Sequence, residues 1–101
     1  MHVCDWKSDI LPSYDAATLA RHCEQHYEVQ ARLYTMAALR FASIASPTDY
    51  AARFGGIVFY FLRGRNSGDP RQGLHFLKPT WEQILSWETE MLGRPFWGIA
   101  P

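Results

Sequence analysis

The sequence predicts an α/β fold in which a strand, a long helix, a buried strand, a hairpin strand and a last helix follow one another. Three observations carry that reading. His2 to Lys7 suits an extended strand, in which successive side chains alternate between two faces. From about Asp15 to Ser43 the pattern is helical and the composition Ala-rich. Gly55-Gly56 then precedes Ile57-Val58-Phe59-Tyr60-Phe61-Leu62, a β-branched and aromatic run that fits a strand buried on both faces. A helix joining two strands in this order usually makes a right-handed crossover between parallel strands. That sets the Asp5 strand beside the Val58 strand.

The remaining elements follow in chain order. The turn Ser8 to Tyr14 contains Pro12, and Ser13 or Asp15 caps the helix after it. That helix is one long element or two with a bend near His26 and Tyr27. Its second half, Val29 to Ala42, is apolar on most sides, as expected of a helix against a sheet with other protein around it. Gln30 and Tyr34 interrupt the apolar pattern and, being four apart, share one face. Ser46-Pro47-Thr48-Asp49 breaks the helix. Gly64 to Gln72 is a turn by composition and Gly73 to Lys78 a short strand, giving a hairpin with Arg63, Arg65 and Arg71 around its tip. Thr80 and Gln83 have capping-box spacing at the start of the last helix. Trp81, Ile84, Leu85, Glu88 and Met91 lie along one side of it, and Gly93 ends it. Residues 1–93 read as one unit and residues 94–101, with Phe96 and Trp97, as a tail.

Composition narrows the function. With 48% hydrophobic and 15% aromatic residues in 101, the chain builds a packed core and is not a disordered tail. Formal net charge is zero, so attraction to nucleic acid must come from a local arrangement. Between Ala51 and Pro79, Arg53, Arg63, Arg65, Arg71 and Lys78 face Asp69 alone, which marks the region for a phosphate partner. Cys4 and Cys23 are far apart without C-x-x-C spacing and fit a reducing cytoplasm. No apolar run is long enough to cross a bilayer, so a cytoplasmic location without membrane contact is expected. No Gly-rich phosphate loop is present, and ATP binding is not expected.

Chemistry concentrates in Asp5-Trp6-Lys7. In a strand, Asp5 and Lys7 share a face while Cys4 and Trp6 take the other. A carboxylate beside an ammonium suits metal-dependent phosphodiester cleavage: the carboxylate binds a hard divalent cation, and the lysine positions water and offsets phosphate charge. The tripeptide alone is common by chance and fits an exposed strand-end ion pair better.

Four features together resemble the RecB-type C-terminal nuclease domain. They are Asp5-Trp6-Lys7-Ser8; Gln30 and Tyr34 within Tyr27 to Tyr34; Gly55 to Gly64; and Gln72-Gly73 closing the hairpin. The similarity runs from about Val3 to Gly93. It implies a partial restriction-endonuclease-like core of the PD-(D/E)XK superfamily, Mg²⁺-dependent DNA cleavage, and a helicase-nuclease that processes double-strand breaks for recombination. It implies that Asp5 binds metal together with the Trp6 backbone carbonyl, that Lys7 is catalytic, and that Gln30 and Tyr34, matching a Q-x-x-x-Y motif, contact DNA.

The sequence also departs from that pattern. The family uses a further aspartate and an earlier histidine upstream, and nothing before Asp5 supplies either. The expectation is a C-terminal part of a nuclease domain that is weak or inactive alone and completed by a missing N-terminal part or other subunits. Arg63, Arg65 and Arg71 either contact DNA phosphates or are solvated hairpin charges. His22 and His26, four apart, lack H-E-x-x-H order and read as an exposed helix face. The rival reading is a non-catalytic DNA- or protein-interaction module that keeps the scaffold.

Overall fold

The computed structural model describes residues 1–92, with side chains described as far as Glu90. Three strands and five helices succeed one another: β1 (His2–Lys7), α1 (Ala16–His26), α2 (Glu28–Phe41), α3 (Pro47–Arg53), β2 (Gly56–Phe61), α4 (Leu62–Arg65), β3 (Leu74–Leu77) and α5 (Trp81–Leu92). The sheet order is β1-β2-β3. β1 and β2 are parallel, with Asp5 opposite Phe59 and Lys7 opposite Phe61, and β2 and β3 are antiparallel. The crossover and the hairpin expected from sequence are both present.

The long helical stretch is divided at Tyr27, which serves as the C-cap of α1 and the N-cap of α2 with φ −123° and ψ 11°. The Tyr27 N–H still donates to Cys23 at 2.8 Å, and its carbonyl accepts from Ala31, so the chain bends without losing its backbone bonds. Of the two candidate caps, Asp15 acts: its carboxylate accepts from the Thr18 N–H at 2.8 Å. Removing that cap by Asp15→Ala should cost about 1 kcal/mol, measurable as a lower urea midpoint. Thr80 and Gln83 form the expected reciprocal box, at 2.9 and 3.1 Å.

Two local expectations are corrected. Ser46 to Asp49 does not simply break a helix; it starts α3, with Ser46 capping the Asp49 N–H at 3.1 Å and Pro47 in the first turn. The breaker residues of a helix interior are the starter residues of a helix N-terminus, because the first N–H groups have no intrahelical partner to lose. The hairpin connection is also not a plain turn. Its first residues wind into α4, and Gly73, at φ +85°, brings the chain back against α4, where a Cβ would lie 2.5 Å from the Arg65 nitrogen.

The core lies between the sheet and the helices. Phe59 and Phe61 project from β2 with no exposed surface, beside Leu19, Leu39, Ile44, Phe54 and Ile84. Trp81 and Trp87 pack against this cluster, whereas Gly93, Phe96, Trp97 and the rest of the tail lie outside the described residues. The opposite sheet face is more open, so β2 is fully buried on one face and not on both as its apolar run suggested: Val58 and Tyr60 are only half-buried. Trp6 is 63% exposed and stacks on Tyr60, and Phe76 is 56% exposed. α2 buries Ala31, Thr35, Ala38 and Leu39 but leaves Val29, Leu33 and Phe41 exposed, which explains why its sequence is apolar on most sides.

Candidate functional site

Period-two alternation puts Val3, Asp5 and Lys7 on the half-buried side of β1 and His2, Cys4 and Trp6 on the exposed side. The Lys7 ammonium lies 2.9 Å from Asp5 Oδ2, and both side chains are mostly enclosed, 12% and 18% exposed. Its second partner comes from α2: Lys7 Nζ donates to Gln30 Oε1 at 2.7 Å. A third contact comes from the helix bend, where the Tyr27 ring lies beneath the ammonium, 3.9 Å from Nζ to the ring centroid. A largely desolvated ammonium is thus met by a carboxylate, an amide oxygen and an aromatic face, which together offset the cost of enclosing it.

The Asp5–Lys7 contact is a charge contact. Although Nζ is 2.9 Å away, Oδ2 of Asp5 is buried and accepts no hydrogen bond of acceptable direction from the described residues. An anionic oxygen kept from water and without a hydrogen-bond donor fits a hard divalent cation such as Mg²⁺. Among the described residues, no three His, Cys, Asp or Glu side chains converge to form a metal-binding group. Asp5 therefore provides one ligand of a site rather than a whole one.

The other predicted site residues occupy different settings. Tyr34, one turn beyond Gln30, packs against the core. The Trp6 side chain takes the opposite sheet face from Asp5, so only its backbone belongs to the site side. Arg63 donates from Nε to the Ser8 carbonyl at 3.0 Å, which ties an exposed guanidinium to the residue directly after Lys7. Arg65 Nη1 closes the α4–β3 loop through the carbonyls of Pro70 and Gln72, at 2.7 and 3.1 Å. Arg71 pairs with Asp69 at 3.2 Å on the surface. Hydrogen bonds from Arg71 hold the Asp69 carboxyl below the usual carboxylate range.

Sequence reasoning missed a second cluster beside Lys7. Asp9, two residues past the strand end, receives the Tyr27 hydroxyl proton at Oδ2, and His22 Nε2 lies 2.7 Å from the same oxygen. His22 is therefore not on a free helix face, as its sequence pattern suggested; His26 is exposed and its ring lies 4.6 Å from that of His22. Burial works against the Asp9 charge, but the hydrogen bonds from Tyr27 and His22 and the charges of His22 and Lys7 outweigh it, so its pKa is lowered. Burial and the bond to Asp9 push the Tyr27 phenol well above its ordinary value, so it remains a neutral donor.

Two expectations follow from this electrostatic environment. Unfolded Asp9 titrates near 3.8 and folded Asp9 lower, so its contribution to stability is complete above that pH and is lost as pH falls through the folded value. The stability advantage of the wild type over Asp9→Asn, measured by urea unfolding from pH 7 to pH 2, should shrink in that acid window. Burial pushes the Cys23 thiol up to about 12, with Asp9 adding to the shift. Cys23 is 5% exposed while Cys4 is exposed, so a thiol reagent at pH 8 should modify one cysteine in the folded chain and two after unfolding.

A separate cavity of about 290 Å³ lies among α1, α2, β3 and α5, lined by Cys23, Tyr27, Phe59, His75 and Trp87 among others. Neither Asp5 nor Lys7 reaches it. Asp5 and Lys7 sit in the C-terminal half of β1 instead.

No family model matches the chain. Relatives do: the RecBCD enzyme subunit RecB of Haemophilus influenzae is 36% identical over 89 residues, which are 82% of this chain and 7% of that protein. The RecB subunit of Escherichia coli K12 is 31% identical over 77 residues, 74% of this chain and 6% of that protein. This chain is a RecB homologue. The relationship takes in most of the chain but only a small part of the length of each RecB relative. It agrees with the resemblance drawn from the Asp5, Gln30/Tyr34 and Gly55 to Gly64 motifs. Among the described residues, no helix is long and apolar enough to cross a membrane.

Proposed function

We propose that the chain supplies the Asp5–Lys7 half of a RecB-type, Mg²⁺-dependent DNA nuclease site that acts in double-strand break repair and recombination. The carrying observation is the enclosed Lys7 ammonium held between Asp5 and Gln30, at 2.9 and 2.7 Å, on the strand end of a RecB homologue. In this reading Asp5 and the Trp6 carbonyl bind the metal, which when bound supplies positive charge to the phosphate oxygens and lowers the pKa of water. Lys7 orients the attacking water and balances charge at the phosphate. Gln30 fixes the Lys7 ammonium and, with Tyr34, borders the DNA strand. Arg63, beside Ser8, is the arginine best placed to meet phosphate, and Arg65 and Arg71 support the loop near it.

One carboxylate is too few for a working site of this kind, and the remaining ligands come from further parts of a RecB-like polypeptide or from other subunits of a RecBCD-like enzyme. The isolated chain should bind Mg²⁺ in the millimolar range at best and cleave DNA weakly or not at all. Calorimetry with Mg²⁺ checks the first point: binding should vanish in Asp5→Ala. Affinity unaffected by Asp5→Ala would favour a non-catalytic interaction module.

The decisive experiment places this segment in its larger setting. A chimera in which residues 1–92 replace the matching segment of Escherichia coli RecB should degrade linear DNA with Mg²⁺. It should lose that activity on Lys7→Ala. Cleavage that persists in the Lys7→Ala chimera would overturn the proposal.

A further inference from the structure

The break between α1 and α2 places Tyr27 between two otherwise separate groups. Its hydroxyl donates to Asp9 Oδ2, and its ring carries the Lys7 ammonium at 3.9 Å. The ring is steered from two further sides: it lies parallel to Phe59 with centroids 5.9 Å apart, and the His22 ring meets it edge-on at 5.6 Å. His22 in turn shares the Asp9 oxygen at 2.7 Å. The turn after β1, the end of α1 and the helix bend thus converge on one aromatic ring, and the ring converges on the one lysine of the site.

We propose that Asp9, His22 and Tyr27 form a positioning set for the Lys7 ammonium, in which Asp9 fixes the Tyr27 ring and the ring fixes where Nζ rests between Asp5 and Gln30. This rests on the reading that Lys7 acts at the phosphate; the three residues themselves touch neither metal nor DNA in it. The physical reason for such a set is the flexibility of lysine. A four-carbon stem has many rotamers, and distance restraints from two partners, Asp5 and Gln30, leave the ammonium free to swing about the line that joins them. An aromatic face supplies that third restraint, and a phenol donating to an anion has a more electron-rich face for the cation. Hydrogen-bonding Asp9 from two sides keeps it ionised and its oxygen in place.

The chain contains two lysines, Lys7 and Lys78, so side-chain ¹⁵N–¹H spectra of the lysine-labelled chain give the site ammonium and an internal reference. Tyr27→Phe keeps the ring and removes only the link to Asp9. In that variant the Lys7 ammonium resonance is expected to lose its ring-current displacement and to exchange with water several-fold faster, while Lys78 stays unchanged. Asp9→Ala should do the same. Asp9→Asn, which keeps an acceptor oxygen but not the charge, should hold the ring in place and give a Lys7 shift between those of wild type and Asp9→Ala, whereas loss of fold integrity alone would move Lys78 as well. Lys7 resonances that match wild type in both Tyr27→Phe and Asp9→Ala would overturn the proposal. Should Asp9→Ala fail to fold, Tyr27→Phe alone decides. The readout is the ammonium and not cleavage, so loss of the nuclease reading would leave these shifts in place, and absent shifts would leave the Lys7→Ala cleavage result in place.

Discussion

Lys7→Ala in the RecB chimera is expected to lower Mg²⁺-dependent DNA cleavage by about 10²- to 10³-fold, the usual effect of removing one group that stabilises charge in a transition state. The loss should appear in kcat with little change in DNA affinity, because Lys7 is enclosed by Asp5, Gln30 and Tyr27 and presents little surface to a resting DNA strand. Lys7→Arg should not restore activity. The pocket is shaped around a point charge with one oxygen at 2.9 Å, another at 2.7 Å and a ring at 3.9 Å. A planar guanidinium on a longer stem cannot satisfy all three at once. Single-turnover cleavage with saturating DNA separates the two parameters. A drop confined to DNA binding would show that Lys7 is a phosphate anchor and not part of the chemistry.

Phe59→Ala should have the largest effect on stability, about 3 to 5 kcal/mol, enough to unfold a marginally stable domain of this size. Phe59 has no exposed surface, occupies the middle strand, and stands opposite both Asp5 in β1 and His75 in β3. Its ring stacks against those of Tyr27 and His75, at 5.9 and 6.2 Å. Truncation therefore opens a cavity next to the strand that carries Asp5 and Lys7. Phe59→Leu, which retains most of the volume, should cost less and preserve the β1–β2 register. Urea unfolding followed by circular dichroism measures both. A loss below 1 kcal/mol for Phe59→Ala would mean that the helices, rather than the sheet, carry the core.

The two parts of the site were unequally readable. Asp5 and Lys7 announced themselves because strand alternation is a local rule: residues two apart share a face whatever surrounds them. Gln30 stood out as a polar residue on an apolar helix, and the structure supplies its reason, the ammonium of Lys7 at 2.7 Å. Asp9, His22 and Tyr27 gave no such signal. His22 and Tyr27 lie 13 and 18 residues from Asp9 along the chain and meet it only because the turn after β1 sets Asp9 against the end of α1. Tyr27 lay within a recognised motif, yet nothing local shows that its ring faces Lys7.

By itself the sequence determined the order of the three strands and of the crossover and C-terminal helices, the parallel pairing of β1 with β2, the Thr80–Gln83 capping box and the relationship to RecB. Each of these follows from periodicity, capping chemistry or a run of residues contiguous in the chain. Only the tertiary structure decided that the helical stretch divides at Tyr27, that Ser46 starts a helix, and that Arg65 is held within its own loop while Arg63 reaches Ser8. It alone decided how Lys7 is enclosed. Burial and side-chain partners depend on which distant segments pack together, and the free energy of that choice is shared over the whole core rather than written in any one stretch.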